Sequence, residues 1–462
     1  MGLPAGVAAG HPATAETALE ILAEGGTAAD AAVAASLASC VAETVMTGLL
    51  GGGHALYLDG QSGTVRALDC FVAVPGLGAE PREPELVRLE VPFGAELVHY
   101  AVGPASCAVP GLAAGLGALW AAHGRLPWRD LAAPAIRLAR EGVDLPPAHA
   151  ACLAMLEPVM TMDEGARIYA PGGRLLSTGD TLAQPGLADA LGLLAEEGAA
   201  SVYRGELGRR LLALSDERGG LLTRADLDAY EARWLEPVEV AYAGTRFLTR
   251  GDLSGVPGTL RALPRLRSAS PAERVAALVA ALAPGGPDGH TTNLVVADAG
   301  GSVCVLTSSL GLGSGDFVPG LDLHLNSMLG EVDLLRGPLE PGRRMGSMMA
   351  PSIALDGDRP VLALGAAGGT RLRTALVGVA AGVLDEGLDP EAAVERPRFH
   401  PAGRAVNAEP GVDEDGLARL AAAGWQVRRW PARHHYFGGV SLIATSGPAA
   451  DSRRSGRAAR VA

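Results

Sequence analysis

Residues 290–309 read HTTNLVVADAGGSVCVLTSS, two β-rich runs flanking Ala299-Gly300-Gly301. Threonine, valine and leucine on either side of a glycine turn predict a β-hairpin. With the turn centred near Gly300, residues whose numbers sum to about 600 face one another, which sets Ser309 opposite Thr291 to within one residue. The preceding run, Pro284 to His290, predicts an exposed loop. A threonine entering a strand straight from such a loop, with a hydroxyl across the ladder, is what an N-terminal nucleophile requires. Cleavage before Thr291 would free an α-amine able to serve as general base for the threonine's own Oγ. The same Thr-Thr pair also suits an ordinary strand start, because β-branched residues favour strands.

Downstream, PSIALDG and RPVLALGAAGG predict strands, the second running into Gly368-Gly369 before a helix TRLRTALVGVAAGVLDEG that opens at Thr370. Paired glycine N–H groups at a helix N-terminus make a ready oxyanion hole, although a plain strand-to-helix turn reads the same way. WQVRRW and GGVSLIAT predict a final pair of strands. Upstream, Thr14 can cap AETALEILAE with Glu16 in its first turn, and Thr27 can cap the alanine-rich AADAAVAASLASCVAE, which must pack closely against something. HALYLD and TVRALD form a hairpin around Gly60–Gly63, residues 76–98 form a Pro- and Glu-rich connecting excursion, and 104–222 are mainly helical. VEVAYAG and TRFLTR return to strand, and AERVAALVAALA is the one helix expected in 251–290. Strands and helices in mixed order, with hairpins, define an α+β chain with antiparallel pairing.

Composition narrows the chemistry. All 38 basic residues are arginine, so a P-loop lysine, a Schiff-base lysine and an SxxK acylase are excluded. The net charge of −13 argues against nucleic acid or an anionic membrane as partner. The most apolar early stretch, Ala31 to Ala42, is 12 residues long and too short to span a bilayer. No export signal is visible in MGLPAGVAAGHPATAE, which gives the expectation of a soluble, cytoplasmic protein. The five cysteines lack metal-like or disulfide-like spacing, and His434-His435, without a third ligand, reads as a surface loop. No metal and no cofactor is expected. The four arginines from Arg453 to Arg460 read as a structural strand end.

These residues carry a family resemblance. The TT opening a VVAD strand, then GSGDFVPG with LNS, RMGSMMAPS, and LALGAAGGTR with a later PRFH resemble the small subunit of the γ-glutamyltransferase (γ-glutamyltranspeptidase) family. HPATAETALEILAEGGTAADAAVAASLA, GLLGGGHALYLD, ALDCFVAVPG and VPGLAAGLGALWAAHGRLPWRDLAAPAIRLAREG resemble its large subunit. The resemblance implies an Ntn-hydrolase: a four-layer αββα sandwich made as one precursor and self-cleaved between His290 and Thr291. The large-subunit part is then 1–290 and the small-subunit part 291–462, 172 residues, the two held as a heterodimer within one intertwined fold. It further implies Thr291 as nucleophile, Ser309 as its hydroxyl partner where the family usually has threonine, and Gly368 and Gly369 as oxyanion hole. Ser347 matches the second serine of a pair that helps hold the donor, and Glu331 falls where an aspartate normally binds the donor's α-amine.

Three positions depart from the pattern. The arginine that clamps the glutamyl α-carboxylate should follow ALD, where this chain has Cys70-Phe71-Val72. The asparagine two residues beyond the hydroxyl partner is Gly311, and the first serine of the pair is Gly346. Loss of a bidentate arginine removes one of the stronger carboxylate contacts, with Arg343, Arg344 and Arg371 as candidate replacements. The expected activity is formation of an acyl-enzyme on Thr291 from a γ-glutamyl or similar amide, with transfer to water or an amine. The alternatives are a non-glutamyl amide, or a C–C bond next to a carbonyl in specialised metabolism, and a non-catalytic relative.

Overall fold

The computed structural model describes residues 2–461 other than 94–95, 284–290, 332–333, 336 and 370; the loop expected at 284–290, His290 included, lies outside the described residues. The hairpin pairs Thr292 with Ser308 and Ala297 with Val303, so every pair sums to 600. It forms the middle of a seven-stranded antiparallel sheet, in the order Arg457–Arg460, Gly6–Ala9, Thr292–Ala297, Val303–Ser309, Gly52–Leu58, Val65–Cys70, Arg233–Leu235. A second antiparallel sheet runs Gly447–Ala450, Gly439–Ala444, Arg359–Ala367, Ser352–Asp356, Thr245–Thr249, Val238–Tyr242.

The strands are apolar on both faces because each sheet is covered twice. Leu56, Val295, Val305, Ile353, Ala363 and Ile443 fill the space between the sheets. Outside the first sheet lie helices Pro12–Ala23, Ala28–Ala42, Trp128–Glu141 and Pro185–Glu197. Outside the second lie Val256–Ala262, Pro271–Leu282, Arg371–Leu384 and Glu414–Ala422. The result is the four-layer αββα sandwich of an α+β fold. All 15 residues of Ala28–Ala42 are buried, which small side chains alone permit. Its start is the cap expected at Thr27, which Asp30 completes as a capping box.

Several local expectations change. Thr14 does not cap the first helix; His11 does, because Pro12 occupies the first helical position and the imidazole accepts from Ala13 N–H. The excursion 76–98 contains a strand Val87–Phe93, paired with Glu96–Val102. A short helix, Val256–Ala262, precedes the expected one. WQVRRW and GGVSLIAT lie in different sheets: Gln426–Arg429 pairs in parallel with Ala405–Ala408, whereas Gly439–Ala444 joins the second main sheet. His435 is buried, and His434 caps a 3-10 turn against Trp430, so the pair is not a surface loop. Arg453 is buried in ion pairs with Glu409 and Asp451, and Arg457–Arg460 is an edge strand.

The sheets approach closely at Gly365, where an added Cβ would fall 1.9 Å from the Asn293 amide. That amide is itself bonded to Thr307 at 2.7 Å and cannot retreat freely. Gly365→Ala is therefore expected to destabilise the protein by about 1–3 kcal/mol, read as a lower denaturant midpoint at unchanged slope.

Candidate active site

The close approach of the sheets brings two strand ends together. Thr291 immediately precedes the strand Thr292–Ala297, and Gly368 immediately follows Arg359–Ala367. The Gly368 N–H donates to Thr291 Oγ1 at 2.9 Å. Gly368 and Gly369 have φ of 129° and 61°, a backbone path that side-chain-bearing residues rarely follow. Continuing the 600-sum register by one residue sets Thr291 level with Ser309, whose Oγ accepts from Gly311 N–H at 3.0 Å. Thr291, Ser309, Glu331, Ser347 and Gly369 line one small cavity. Gly368 lies at its edge through the bond to Thr291. All six residues singled out in the sequence therefore converge.

Their supports are local. Ser347 is held by its N–H, which donates to Asp252 at 2.9 Å, and its own Oγ accepts from Met349 N–H. Glu331 ends a 3-10 turn at Met328–Gly330. The rest of the wall is apolar: Phe71, Met328, Leu334, Met348, Met349 and Leu372. Phe71, in the Cys70-Phe71-Val72 segment where the arginine was expected, stacks on His54, with ring centroids 5.4 Å apart.

None of the three candidate replacement arginines lines this cavity. Arg344 is turned to the main chain, donating to the carbonyls of Phe71 at 2.8 Å and Glu231 at 2.6 Å, with its guanidinium over Tyr230. Arg343 is exposed beside Glu340, and Arg371 lies over Tyr436.

Sequence reasoning passed over Glu43. Thr291 and Thr292 alternate, as successive strand residues do. One hydroxyl meets the second sheet at Gly368; the other faces the helical layer, where Thr292 Oγ1 donates to Glu43. Thr14 Oγ1 donates to the same carboxylate at 2.8 Å. Burial pushes the Glu43 carboxyl up to about 7, opposed by these two hydrogen bonds and by Arg454. A second small cavity joins Thr291 and Thr292 to Glu43, His149 and Arg454. The signal available in sequence was a carboxylate closing an alanine-rich helix whose one other acid is the capping Asp30. Among the described residues no group of three or more His, Cys, Asp or Glu could hold a metal ion. No helix among them is long and apolar enough to cross a membrane.

Two face-to-face antiparallel sheets between helical layers, with a threonine at the head of a central strand, are the architecture of the Ntn-hydrolases. Within that class the chain belongs to the gamma-glutamyltranspeptidase family, whose profile matches residues 14–269 and 261–461. It is 28% identical over 506 residues to the acylase ACY 1 proenzyme of Pseudomonas sp. (strain V22), covering 95% of this chain and 89% of that protein. It is 26% identical over 542 residues to the glutathione hydrolase proenzyme of Bacillus subtilis (strain 168), covering 98% and 90%. The crystal structure of cephalosporin acylase from Bacillus halodurans superposes with a TM-score of 0.83 at 25% identity, covering 99% of this chain and 96% of that one.

Proposed function

We propose that the chain is a self-processing amide hydrolase or acyltransferase whose nucleophile is Thr291. The observation that carries this reading is the 2.9 Å hydrogen bond between Gly368 N–H and Thr291 Oγ1. It sets the hydroxyl against the glycine amides that would receive negative charge from a tetrahedral intermediate. In the precursor, Thr291 Oγ adds to the carbonyl carbon of residue 290, the peptide C–N bond breaks, and water hydrolyses the resulting ester. That frees the α-amine of Thr291. The amine then takes the Oγ proton as the threonine attacks an amide donor, and gives it to the leaving amine. Ser309 orients the hydroxyl, Gly368 and Gly369 hold the oxyanion, and Ser347 and Glu331 contact the donor. Similar proteins include both an acylase and glutathione hydrolases, which supports amide hydrolysis as the common reaction. Phe71 in the donor wall favours a non-glutamyl amide over a γ-glutamyl one.

Mass spectrometry of purified protein tests the first step. Chains of 290 and 172 residues, the second beginning at Thr291, are expected. A stable single chain that still turns over amides would exclude the mechanism.

A further inference from the structure

We infer that the acyl group accepted at Thr291 is short, apolar and carboxylate-free, and that Phe71 sets this selectivity; the inference rests on Thr291 being the nucleophile. Among the described lining residues the only ionisable side chain is that of Glu331. The rest of the lining is Phe71, Met328, Leu334, Met348, Met349 and Leu372, and all of these but Leu372 share one buried cluster with Val72, Val74, Ala108 and Met345. A donor carboxylate placed there gives up its hydration against hydrocarbon and thioether, which is costly unless a cation compensates it. Among the described residues two guanidiniums lie nearby and both are committed: Arg344 to the Phe71 and Glu231 carbonyls, and Arg250 to Asp252 and the Ser347 carbonyl. An alkyl group in the same place gains about 25 cal/mol for each Å² of apolar surface buried. The free space between these walls is small, which limits the acyl group to a short chain.

A matched series of 4-nitroanilides isolates the effect. Pentanoyl and glutaryl donors differ only by a terminal methyl against a terminal carboxylate, and γ-glutamyl adds an α-amine to glutaryl. With each, Thr291 Oγ bonds to the acyl carbon, the C–N bond breaks, and 4-nitroaniline leaves with the proton. Water then cleaves the ester to give the acid and restores the hydroxyl. The mature enzyme is expected to show kcat/KM for the pentanoyl anilide at least about 10-fold above both others, a ratio typical of one well-placed apolar contact. Phe71→Arg is expected to shrink or reverse that ratio through KM for the glutaryl donor, whereas Phe71→Leu keeps it. Preference of the wild-type enzyme for glutaryl or γ-glutamyl anilide, or turnover of none by protein shown to begin at Thr291, overturns the inference and leaves the nucleophile assignment standing. Should Thr291→Ala prove as active as wild type, the nucleophile assignment itself falls.

Discussion

Thr291→Ala is expected to yield a single uncut chain of 462 residues with amidase activity lowered by about 10⁴-fold or more, the order seen when a hydrolase loses its nucleophile. The fold should survive. The substitution removes one acceptor for Gly368 N–H, at about 1 kcal/mol, and shortens a side chain at the mouth of a cavity rather than in a packed layer. Thr291→Ser keeps the hydroxyl and is expected to restore both the cut and a slower turnover. Thr292→Val supplies the contrast. The neighbouring hydroxyl serves Glu43 in the helical layer, so its loss should lower stability while the cut at residue 291 still occurs. Gel mobility, intact mass and anilide turnover on the three variants separate these outcomes. Self-cleavage of Thr291→Ala at the same bond would sink the assignment.

That contrast also shows what could be read from sequence. The hairpin register followed from a glycine turn of fixed position, because a ladder with period two leaves no freedom once its turn is placed. It therefore brought Ser309 to Thr291 before any coordinates. Gly368-Gly369 was legible as a local shape, but its partner was not. The contact with Thr291 spans two sheets and depends on how they stack, which no short window encodes. The Thr27 cap was legible because its capping box is local, whereas Thr14 misled because Pro12 moved the helix start upstream and released the hydroxyl for Glu43. The strand Val87–Phe93 was hidden by proline and charge that suit an exposed hairpin as well as a loop. Glu43 could not be ranked from sequence at all, since its importance comes from complete burial beside two threonines.

The donor wall combines both kinds of information. The absence of arginine after Asp69 was visible in the sequence; that Phe71 fills the space, and that Arg344 is held outside it, needed the packing of the 69–74 segment against 343–349. The proposed catalytic residues and the proposed specificity residues thus come apart. Ser309 ends a strand of the sandwich, and Thr291 and the two glycines directly adjoin strands, whereas Phe71, Leu334 and Met348 stand on connecting segments that can change with less disturbance to it.

A steep loss of stability on mild acidification is the second large effect expected. Burial holds His11 at about 4, His149 at about 3 and His324 at about 3, all below the ordinary 6.5. His11 and His149 also meet edge to face at 5.2 Å, so protonating one opposes protonating the other. Below pH 6.5 the unfolded chain takes up protons at these histidines and the folded chain does not. Each therefore contributes stability that is present above 6.5 and lost as pH falls, at about 1.4 kcal/mol per pH unit. Glu43 works in the other direction. Its folded value of about 7 exceeds the unfolded 4.5, so between these limits the folded chain holds a proton that the unfolded chain lacks. Its contribution grows as pH falls and offsets one histidine. These three histidines against one carboxyl contribute a slope of about 3 kcal/mol per pH unit between 6.5 and 4.5, and His54 and His400, also held well below 6.5 by burial, act in the same direction. The uncut Thr291→Ala chain is the right material, because subunit dissociation cannot then mask unfolding. Its urea midpoint should fall sharply from pH 7 to pH 5. Glu43→Gln should steepen that fall by about 1.4 kcal/mol per pH unit, and His149→Gln should flatten it by a similar amount. A midpoint that is level between pH 7 and pH 5 in all three chains would show that these histidines are not held neutral in the folded protein.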